Sequence, residues 1–143
     1  MKIGITGTRN GFSDKQKETF LKYLEEHNLL KTVTEFHQGN CIGVDVEAAR
    51  IFYEKTDAVI YAHLPEKKGL LGTTKYNHVN CKPKNYLARN RDIVNSSDIM
   101  FAIPREMKHQ SFGGTWYTHD YSLKQTKKTI TIFPDGSLLE KMG

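Results

Sequence analysis

Three glycine-bearing loops contain the residues whose types and spacing are best suited to binding a phosphate or another anion. They cover residues 4–9, 37–45 and 104–116, and each lies where a predicted strand runs into a predicted helix. Glycine lets the backbone approach a ligand closely, and the start of a helix offers unpaired N–H groups at the positive end of its dipole. The sequence therefore predicts an anion-binding pocket where the three loops meet.

Alternating strand and helix patterns predict how these loops are positioned. The predicted strands cover residues 2–6, 32–37, 58–63, 98–103 and 129–133, and the predicted helices cover residues 13–27, 45–55, 85–95 and 115–125. This order predicts a Rossmann-like, doubly wound α/β fold with a mainly parallel sheet of about five strands and helices on both faces. Residues 64–85 have no clear period and are predicted to form a long loop, while residues 134–136 form a turn that closes the sheet.

Length and composition favour one domain that spans residues 1–143. A chain of 143 residues with 38% hydrophobic content can bury a single core, and a second domain would not fit. Cys41 and Cys81 have no spacing typical of a metal site or of a disulfide framework, so reduced thiols are expected. The amino terminus has no apolar stretch long enough for a signal peptide or a membrane span. We therefore expect a cytoplasmic protein with no membrane association, no metal and no resident cofactor.

The net charge of +5 is concentrated in one part of the chain. Between residues 64 and 91 the only acid is Glu66, and the basic residues are Lys67, Lys68, Lys75, Lys82, Lys84, Arg89 and Arg91. Such a run suits nucleic acid or a polyanionic small ligand. A solvated, lysine-rich loop explains the same run equally well.

Four segments, taken in order, resemble the SLOG superfamily. They are residues 7–9, residues 39–45, residues 88–91 and residues 113–116. This Rossmann-like group includes the LOG phosphoribohydrolases, the DNA-processing protein DprA and the small YspA- or YpsA-like proteins. The resemblance extends from residue 2 to residue 136 and is closest to the YspA-like branch. It implies a single SLOG-like nucleotide-binding domain that assembles as a homo-oligomer.

The LOG branch implies a role for Arg89 and raises the question of an enzyme. By its position ahead of the fourth strand, Arg89 matches the arginine that helps to hold the nucleotide in LOG enzymes. Their glutamate would stand three residues after Thr115, where this sequence has Thr118. Hydrolysis of an N-glycosidic bond develops positive charge that a carboxylate usually stabilises. The missing acid favours binding over hydrolysis, with Asp45 and Asp120 as alternative acids.

The DprA branch implies a third class of function. In that branch the corresponding glycine loops and the Arg-Asn-Arg segment grip single-stranded DNA. The basic run would then follow the backbone of the nucleic acid, and Tyr76, Tyr86 or Trp116 would stack on bases. This chain is much shorter than DprA, however, and a free-standing small domain favours a small ligand.

The ligand-binding residues that we predict come from all four segments. They are Gly7, Thr8, Arg9, Gly39, Gly43, Asp45, Arg89, Asn90, Gly113, Gly114 and Thr115. The glycines and the amide of Thr115 would cradle a phosphate, Arg9 and Arg89 would neutralise it, and Asn90 or Asp45 would contact ribose or base edges. Asp45 could equally be the N-cap of the second helix. No catalytic residue is assigned, and His119 is expected on the surface.

These residues predict the sensing or sequestering of a nucleotide or a nucleotide-derived small molecule. A LOG-like nucleotide N-glycosidase and a DprA-like protein that binds single-stranded nucleic acid are the two alternatives. Whether the protein is an enzyme stays open at this point.

Overall fold

The strands pair into one sheet in the computed structural model, which describes residues 1–67 and 69–143. Seven strands lie in this described part of the chain: Lys2–Gly7 (β1), Glu35–Gln38 (β2), Val59–Pro65 (β3), Val79–Lys84 (β4), Ile99–Ile103 (β5), Lys128–Ile132 (β6) and Leu138–Met142 (β7). The helices are Asp14–Glu26 (α1), Leu29–Thr32 (α2), Val44–Lys55 (α3), Tyr86–Asn95 (α4) and Gly114–Lys124 (α5). The strand order is β4-β3-β2-β1-β5-β6-β7, and β7 alone among these strands pairs antiparallel to its neighbour.

The order in which the chain adds strands to the sheet reverses at β1. Ile3 of β1 pairs with Phe36 of β2 on one side and with Ile99 of β5 on the other side. The chain therefore builds the sheet outward from β1 to β4, and then returns to start again with β5. In open α/β sheets a crevice forms at the carboxyl ends of the strands beside such a reversal. The loops after β1 and β5 meet there.

Helices cover both faces of the sheet, as the sequence predicts. Successive residues of a strand point to opposite faces, and β5 displays this alternation. Phe101 packs edge-on against Phe20 of α1, with ring centroids 5.0 Å apart, in the larger core cluster. Met100 instead packs with Ile93 and Val94 of α4 on the other face. This arrangement places α4 beside α5, next to the carboxyl end of β5.

The number of strands is larger than predicted, and the two missed strands form the two edges of the sheet. β4 lies inside the segment predicted to be a loop, where Pro83 and the lysines suggest no strand period. β7 follows the turn at residues 134–136, and all five of its residues are exposed. Edge strands are often charged, exposed and interrupted by proline, because they need only one hydrogen-bonded neighbour. Their sequences therefore lack the buried pattern of the central strands.

The start of β2 also differs from the prediction. Residues 29–32 form the short helix α2, so β2 begins at Glu35 rather than at residue 32. In α3, Ala49 and Phe52 face the core, whereas Tyr53 is 48% exposed. Tyr53 stacks on His78 instead, with ring centroids 5.5 Å apart. No helix within residues 1–67 and 69–143 is long and apolar enough to cross a membrane.

A buried pair of histidines joins β2 to β3. His37 Nδ1 lies 2.8 Å from His63 Nε2, and His37 Nε2 lies 2.8 Å from a carboxylate oxygen of Glu35. Burial lowers the pKa of His63 to about 4, and the neighbouring His37 lowers it further. Burial also lowers the pKa of His37, although Glu35 opposes this effect. Both imidazoles are therefore neutral at neutral pH.

We predict that this pair makes the fold sensitive to acid. The pKa of His63 is about 4 in the folded protein and 6.5 as its ordinary value, so the unfolded chain binds more protons between these values. The free energy of unfolding should therefore fall as the pH drops from 7.5 to 5. At pH 5, protonation of His63 in the unfolded chain should lower the free energy of unfolding by about 1–2 kcal/mol relative to pH 7.5.

Urea unfolding of the wild type and of His63→Gln at pH 7.5 and pH 5 measures this contribution. The variant should lose less stability on acidification than the wild type does. His27→Gln, which changes an exposed histidine outside the pair, is the control for the substitution itself. Equal losses in the wild type and in His63→Gln would contradict the assignment.

Candidate functional site

A polar cavity of about 500 Å³ lies at the carboxyl edge of the sheet, beside the reversal at β1. This volume is within the usual range for small-molecule sites. Nine of the eleven predicted ligand-binding residues line the cavity: Gly7, Thr8, Arg9, Asp45, Arg89, Asn90, Gly113, Gly114 and Thr115. Fold and loop positions thus bring together residues that are more than one hundred positions apart in the chain.

Gly39 and Gly43 do not line the cavity, but they determine how closely its walls approach one another. Gly43 has a φ of 92°, and a Cβ at this position would lie 2.5 Å from the carbonyl oxygen of Arg9. A Cβ at Gly39 would lie 2.5 Å from Nη1 of Arg89. Both positions therefore require glycine, since a side chain would push apart the β1 loop, α3 and the guanidinium. Their role is to support the wall rather than to contact a ligand directly.

Asp45 is a buried carboxylate in the cavity wall. Gly43 is the N-cap of α3, so the interpretation of Asp45 as an N-cap is wrong. Oδ2 of Asp45 instead accepts hydrogen bonds from the backbone N–H groups of Gly39, at 3.2 Å, and of Cys41, at 3.3 Å. Its Oδ1 is buried and has no hydrogen-bond partner within residues 1–67 and 69–143. An unsatisfied buried acceptor costs about 1–3 kcal/mol, so this oxygen favours a ligand that brings a donor.

The environment of Asp45 also changes its protonation. Burial raises the pKa of Asp45 from 3.8 to about 6, although the charge of Arg89 and the two backbone hydrogen bonds oppose this effect. A donor from a ligand would stabilise the ionised form and lower this pKa. Binding at Asp45 is therefore expected to depend on pH near 6.

Arg89 is a buried cation that the protein itself holds in place. Its Nη1 donates to the carbonyl oxygens of Gly39, at 2.6 Å, and of His63, at 3.2 Å, and its Nε donates to Oδ1 of Asn90, at 2.8 Å. The guanidinium also lies 4.9 Å from the centre of the Tyr86 ring. Arg89 thus joins α4 to the ends of β2 and β3, and it contributes a fixed positive charge to the cavity wall.

The loop between β5 and α5 adds two charged residues that sequence reasoning missed. Arg105 and Glu106 both line the cavity. Glu106 accepts a hydrogen bond from the indole N–H of Trp116, at 3.0 Å, and another from Nε of Arg105, at 3.1 Å. Burial raises the pKa of Glu106, but these two hydrogen bonds outweigh it and lower the pKa overall. The sequence signal for both residues is their position directly after Pro104, at the carboxyl end of a central strand.

The charges of the cavity wall favour an anion that also carries hydrogen-bond donors. Arg9, Arg89 and Arg105 contribute three positive charges, and ionised Asp45 and Glu106 contribute two negative charges, so the described wall has a net charge of +1. A purely cationic wall would suit any polyanion. This mixture instead suits a ligand with a negatively charged group at one end and hydroxyl or amino groups at the other.

The start of α5 forms one end of this cavity. Gly113 is the N-cap with a φ of 96°, and the first hydrogen bond into the helix runs from Tyr117 N to Gly113 O. The preceding N–H groups have no partner within the helix. Residues 113–116 line the cavity, so the positive end of the α5 dipole faces this space. A Cβ at Gly114 would collide with the hydroxyl group of Tyr86, so glycine lets α5 begin against α4.

Neither Thr118 nor Asp120 is among the residues that line the cavity. Thr118 is 1% exposed, and its hydroxyl group donates to the carbonyl oxygen of Gly114 at 2.8 Å. Asp120 contacts His109 and His119 instead. His119 was predicted on the surface but is 8% exposed, because Trp116 packs against it in the same helix.

The basic run is dispersed over several surfaces. Arg89 lines the cavity, whereas Arg91 donates to the hydroxyl group of Tyr117 between α4 and α5. Lys84 pairs with Asp92 at 2.7 Å. Lys68 lies outside the described residues. The described members of the run therefore do not all face one groove, although Lys82 and Lys84 lie on the same edge strand.

Comparisons with known proteins identify relatives of this fold. No family model and no curated protein sequence matches the chain. Among solved structures, the molybdenum cofactor binding protein from Rippkaea orientalis superposes with a TM-score of 0.65 and 18% identity, over 92% of this chain and 76% of that one. DNA processing protein A from Helicobacter pylori, described by its single-stranded DNA binding mode, superposes with a TM-score of 0.59 and 19% identity, over 92% of this chain and 64% of that one. The X-ray structure of TM1055 superposes with a TM-score of 0.58 and 14% identity, over 90% of this chain and 71% of that one.

This chain shares the Rossmann-like α/β fold of these three proteins. The fold that the four sequence segments imply is therefore confirmed. Within this fold, residues 7–9, 89–90 and 113–116 line one cavity, while Gly39 and Gly43 support its wall. Identities of 14–19% carry no information about the ligand, so the ligand has to be argued from the residues of the cavity.

Proposed function

We propose that this protein senses or sequesters a nucleotide or a nucleotide-derived small molecule, which it binds in the cavity at the carboxyl edge of the sheet. The proposal rests on two features of one cavity wall: the N-terminus of α5, with its unpaired N–H groups, and Asp45, whose buried Oδ1 has no hydrogen-bond partner among the described residues. The first feature favours an anion and the second favours a hydrogen-bond donor. A phosphorylated nucleoside supplies both.

The phosphate group would lie against residues 113–115, where the N–H groups of α5 converge. Arg9 and Arg105 line the same cavity and would supply charge-assisted hydrogen bonds. Arg89 would contribute mainly through its charge, because three of its hydrogen bonds go to protein oxygens. This division differs from the sequence interpretation, in which Arg89 itself binds the phosphate.

The sugar or base would lie toward Asp45. After a small rotation of the carboxylate toward the cavity, Oδ1 of Asp45 would accept a hydrogen bond from a hydroxyl or amino group of the ligand. Oδ1 would then no longer be an unsatisfied buried acceptor. Apolar wall residues, among them Ile5, Leu70 and Phe112, provide surface for a flat ring. Asn90 also lies in this wall and can contact polar edges of the ligand.

Two neighbours with this fold are described as binding the molybdenum cofactor and single-stranded DNA, respectively. The dispersal of the described basic residues over several surfaces and a cavity volume of about 500 Å³ favour the small ligand in this chain. The homo-oligomeric state and the cytoplasmic location stay predictions.

Glu106 supports a second candidate function, a nucleotide N-glycosidase. It is a carboxylate with a lowered pKa in the cavity wall, which is the type of group that stabilises positive charge at an anomeric carbon. Both of its oxygens already accept hydrogen bonds, from Trp116 and Arg105. For this reason we favour binding without hydrolysis.

The first prediction concerns the phosphate end. Gly114→Val would place a side chain against Tyr86 and over the N–H groups of α5, so the affinity for AMP, GMP and IMP should fall by about 10–150-fold, the loss expected for one charge-assisted contact. Calorimetry measures this change. The control is Gly69→Val, since a Cβ at Gly69 meets no described atom within 4 Å, and circular dichroism should remain that of the wild type in both variants. Unchanged affinity in a folded Gly114→Val protein would exclude this loop as the phosphate site.

The second prediction concerns Asp45. If the ligand donates a hydrogen bond to this carboxylate, the wild-type affinity for a nucleoside monophosphate should rise about tenfold from pH 5 to pH 7, as Asp45 ionises near pH 6. Asp45→Asn should bind more weakly at pH 7 and lose this part of the pH dependence. The phosphate of the ligand also titrates near pH 6, and the difference between the two proteins removes its contribution. Identical pH profiles would rule out contact between Asp45 and the ligand.

The third prediction separates binding from catalysis. Incubation with AMP, GMP, IMP and their deoxy forms should release little or no free base, as measured by chromatography. Turnover near one per second, an ordinary enzyme rate, that disappears in Glu106→Gln would replace the binding function with that of a glycosidase. Turnover that persists in Glu106→Gln would point to Asp45 as the catalytic acid.

A further inference from the structure

Two histidines and an aspartate converge outside the cavity, on the far side of Trp116. His109 belongs to the loop between β5 and α5, and His119 and Asp120 belong to α5. His109 Nε2 lies 2.8 Å and 3.0 Å from the two carboxylate oxygens of Asp120, and His119 Nδ1 lies 2.8 Å from one of them. One nitrogen or oxygen from each residue lies within 4.8 Å of those from the other two.

The donor set is one that binds transition metals. Two imidazole nitrogens and one carboxylate oxygen form a ligand set used by zinc sites that keep an open position. Ligand atoms around tetrahedral zinc are about 3.3–3.6 Å apart, as follows from bonds of about 2.0–2.2 Å. The separations of 2.8–3.0 Å from Asp120 to the histidines would need to widen by about 0.3–0.8 Å to match this geometry, and the two histidine nitrogens lie within 4.8 Å of each other.

Asp120 lies at the centre of this cluster, because its carboxylate contacts both histidines. The side chains of His109 and Asp120 are about half exposed, at 51% and 50%, so an ion and its remaining water ligands can enter from solvent.

We infer that His109, His119 and Asp120 form a binding site for one divalent transition-metal ion of the zinc type, which fastens the loop between β5 and α5 to helix α5. This loop carries Arg105 and Glu106 into the cavity, and Trp116 separates the two sites. The ring centre of Trp116 lies 4.9 Å from that of His109 and 5.2 Å from that of His119. Metal binding therefore holds one wall of the cavity in place.

The same tryptophan gives the site its own reporter. Trp116 is the single tryptophan in the sequence, so intrinsic tryptophan fluorescence comes from a residue that contacts both histidines. Titration of tag-free protein with Co²⁺ should quench this fluorescence in a saturable way, with one ion per chain. Zn²⁺ added afterwards should displace Co²⁺ and restore the signal.

Variants of the three residues provide the decisive comparison. His109→Ala and Asp120→Asn should each weaken metal binding by at least about 100-fold, since even the loss of a group that only orients a metal ligand costs about 10–100-fold. His27→Ala removes an exposed histidine elsewhere and should bind Co²⁺ as the wild type does. Circular dichroism and thermal melting without metal verify that the variants fold, and His109→Ala changes an exposed loop residue, so it should remain folded.

Two results would overturn the assignment. One is the absence of saturable quenching by Co²⁺ at micromolar concentrations in the wild type. The other is equal affinity in the wild type, His109→Ala and Asp120→Asn. Neither result depends on nucleotide binding, so the metal site and the proposed function are tested separately.

Discussion

The buried guanidinium of Arg89 is the interaction on which the arrangement of the site depends. It is 4% exposed, and it donates to the carbonyl oxygens of Gly39 and His63 at the ends of two neighbouring strands. A cation in this position needs a nearby negative charge, and Asp45 supplies it from the start of α3. The two hydrogen bonds of Asp45 both go to Oδ2, so its buried Oδ1 has no hydrogen-bond partner among the described residues. The contacts that hold Arg89 and Asp45 in the fold therefore also shape the wall of the proposed ligand site.

Close backbone approach is the second constraint on the site. Gly43 allows the loop after β1 to contact the start of α3, and Gly114 allows α5 to start against Tyr86. These contacts bring two helix N-termini toward the carboxyl edge of the sheet. The chain thereby gains positive electrostatic potential from backbone dipoles as well as from Arg9 and Arg105. A cavity built in this way can bind an anion without a large excess of cationic side chains.

Trp116 connects this cavity with the cluster of His109, His119 and Asp120. Its indole N–H is hydrogen-bonded to Glu106 at the cavity wall, and its ring packs against both histidines. A change in the position of the loop between β5 and α5 would move Arg105 and Glu106 in the cavity wall and His109 in the cluster together. The two sites therefore share one structural element, and coupling between them would travel through packed side chains rather than through a large conformational change.

The sequence by itself determined the central strands, the four longer helices and nine residues of the cavity wall. A short continuous apolar run such as residues 99–103 indicates a strand that is buried on both faces, and glycine loops that follow parallel strands meet at one edge of the sheet. Tertiary structure alone decided the features that depend on partners distant in the chain. β4 and β7 exist because a sheet edge accepts an exposed, irregular strand, which leaves no hydrophobic period in the sequence. Likewise, Glu106 enters the cavity and His109 reaches Asp120 because loop residues 104–113 fold back along α5. Local sequence patterns encode secondary structure and burial, but the direction in which a loop side chain points is fixed by the packing of the elements around it.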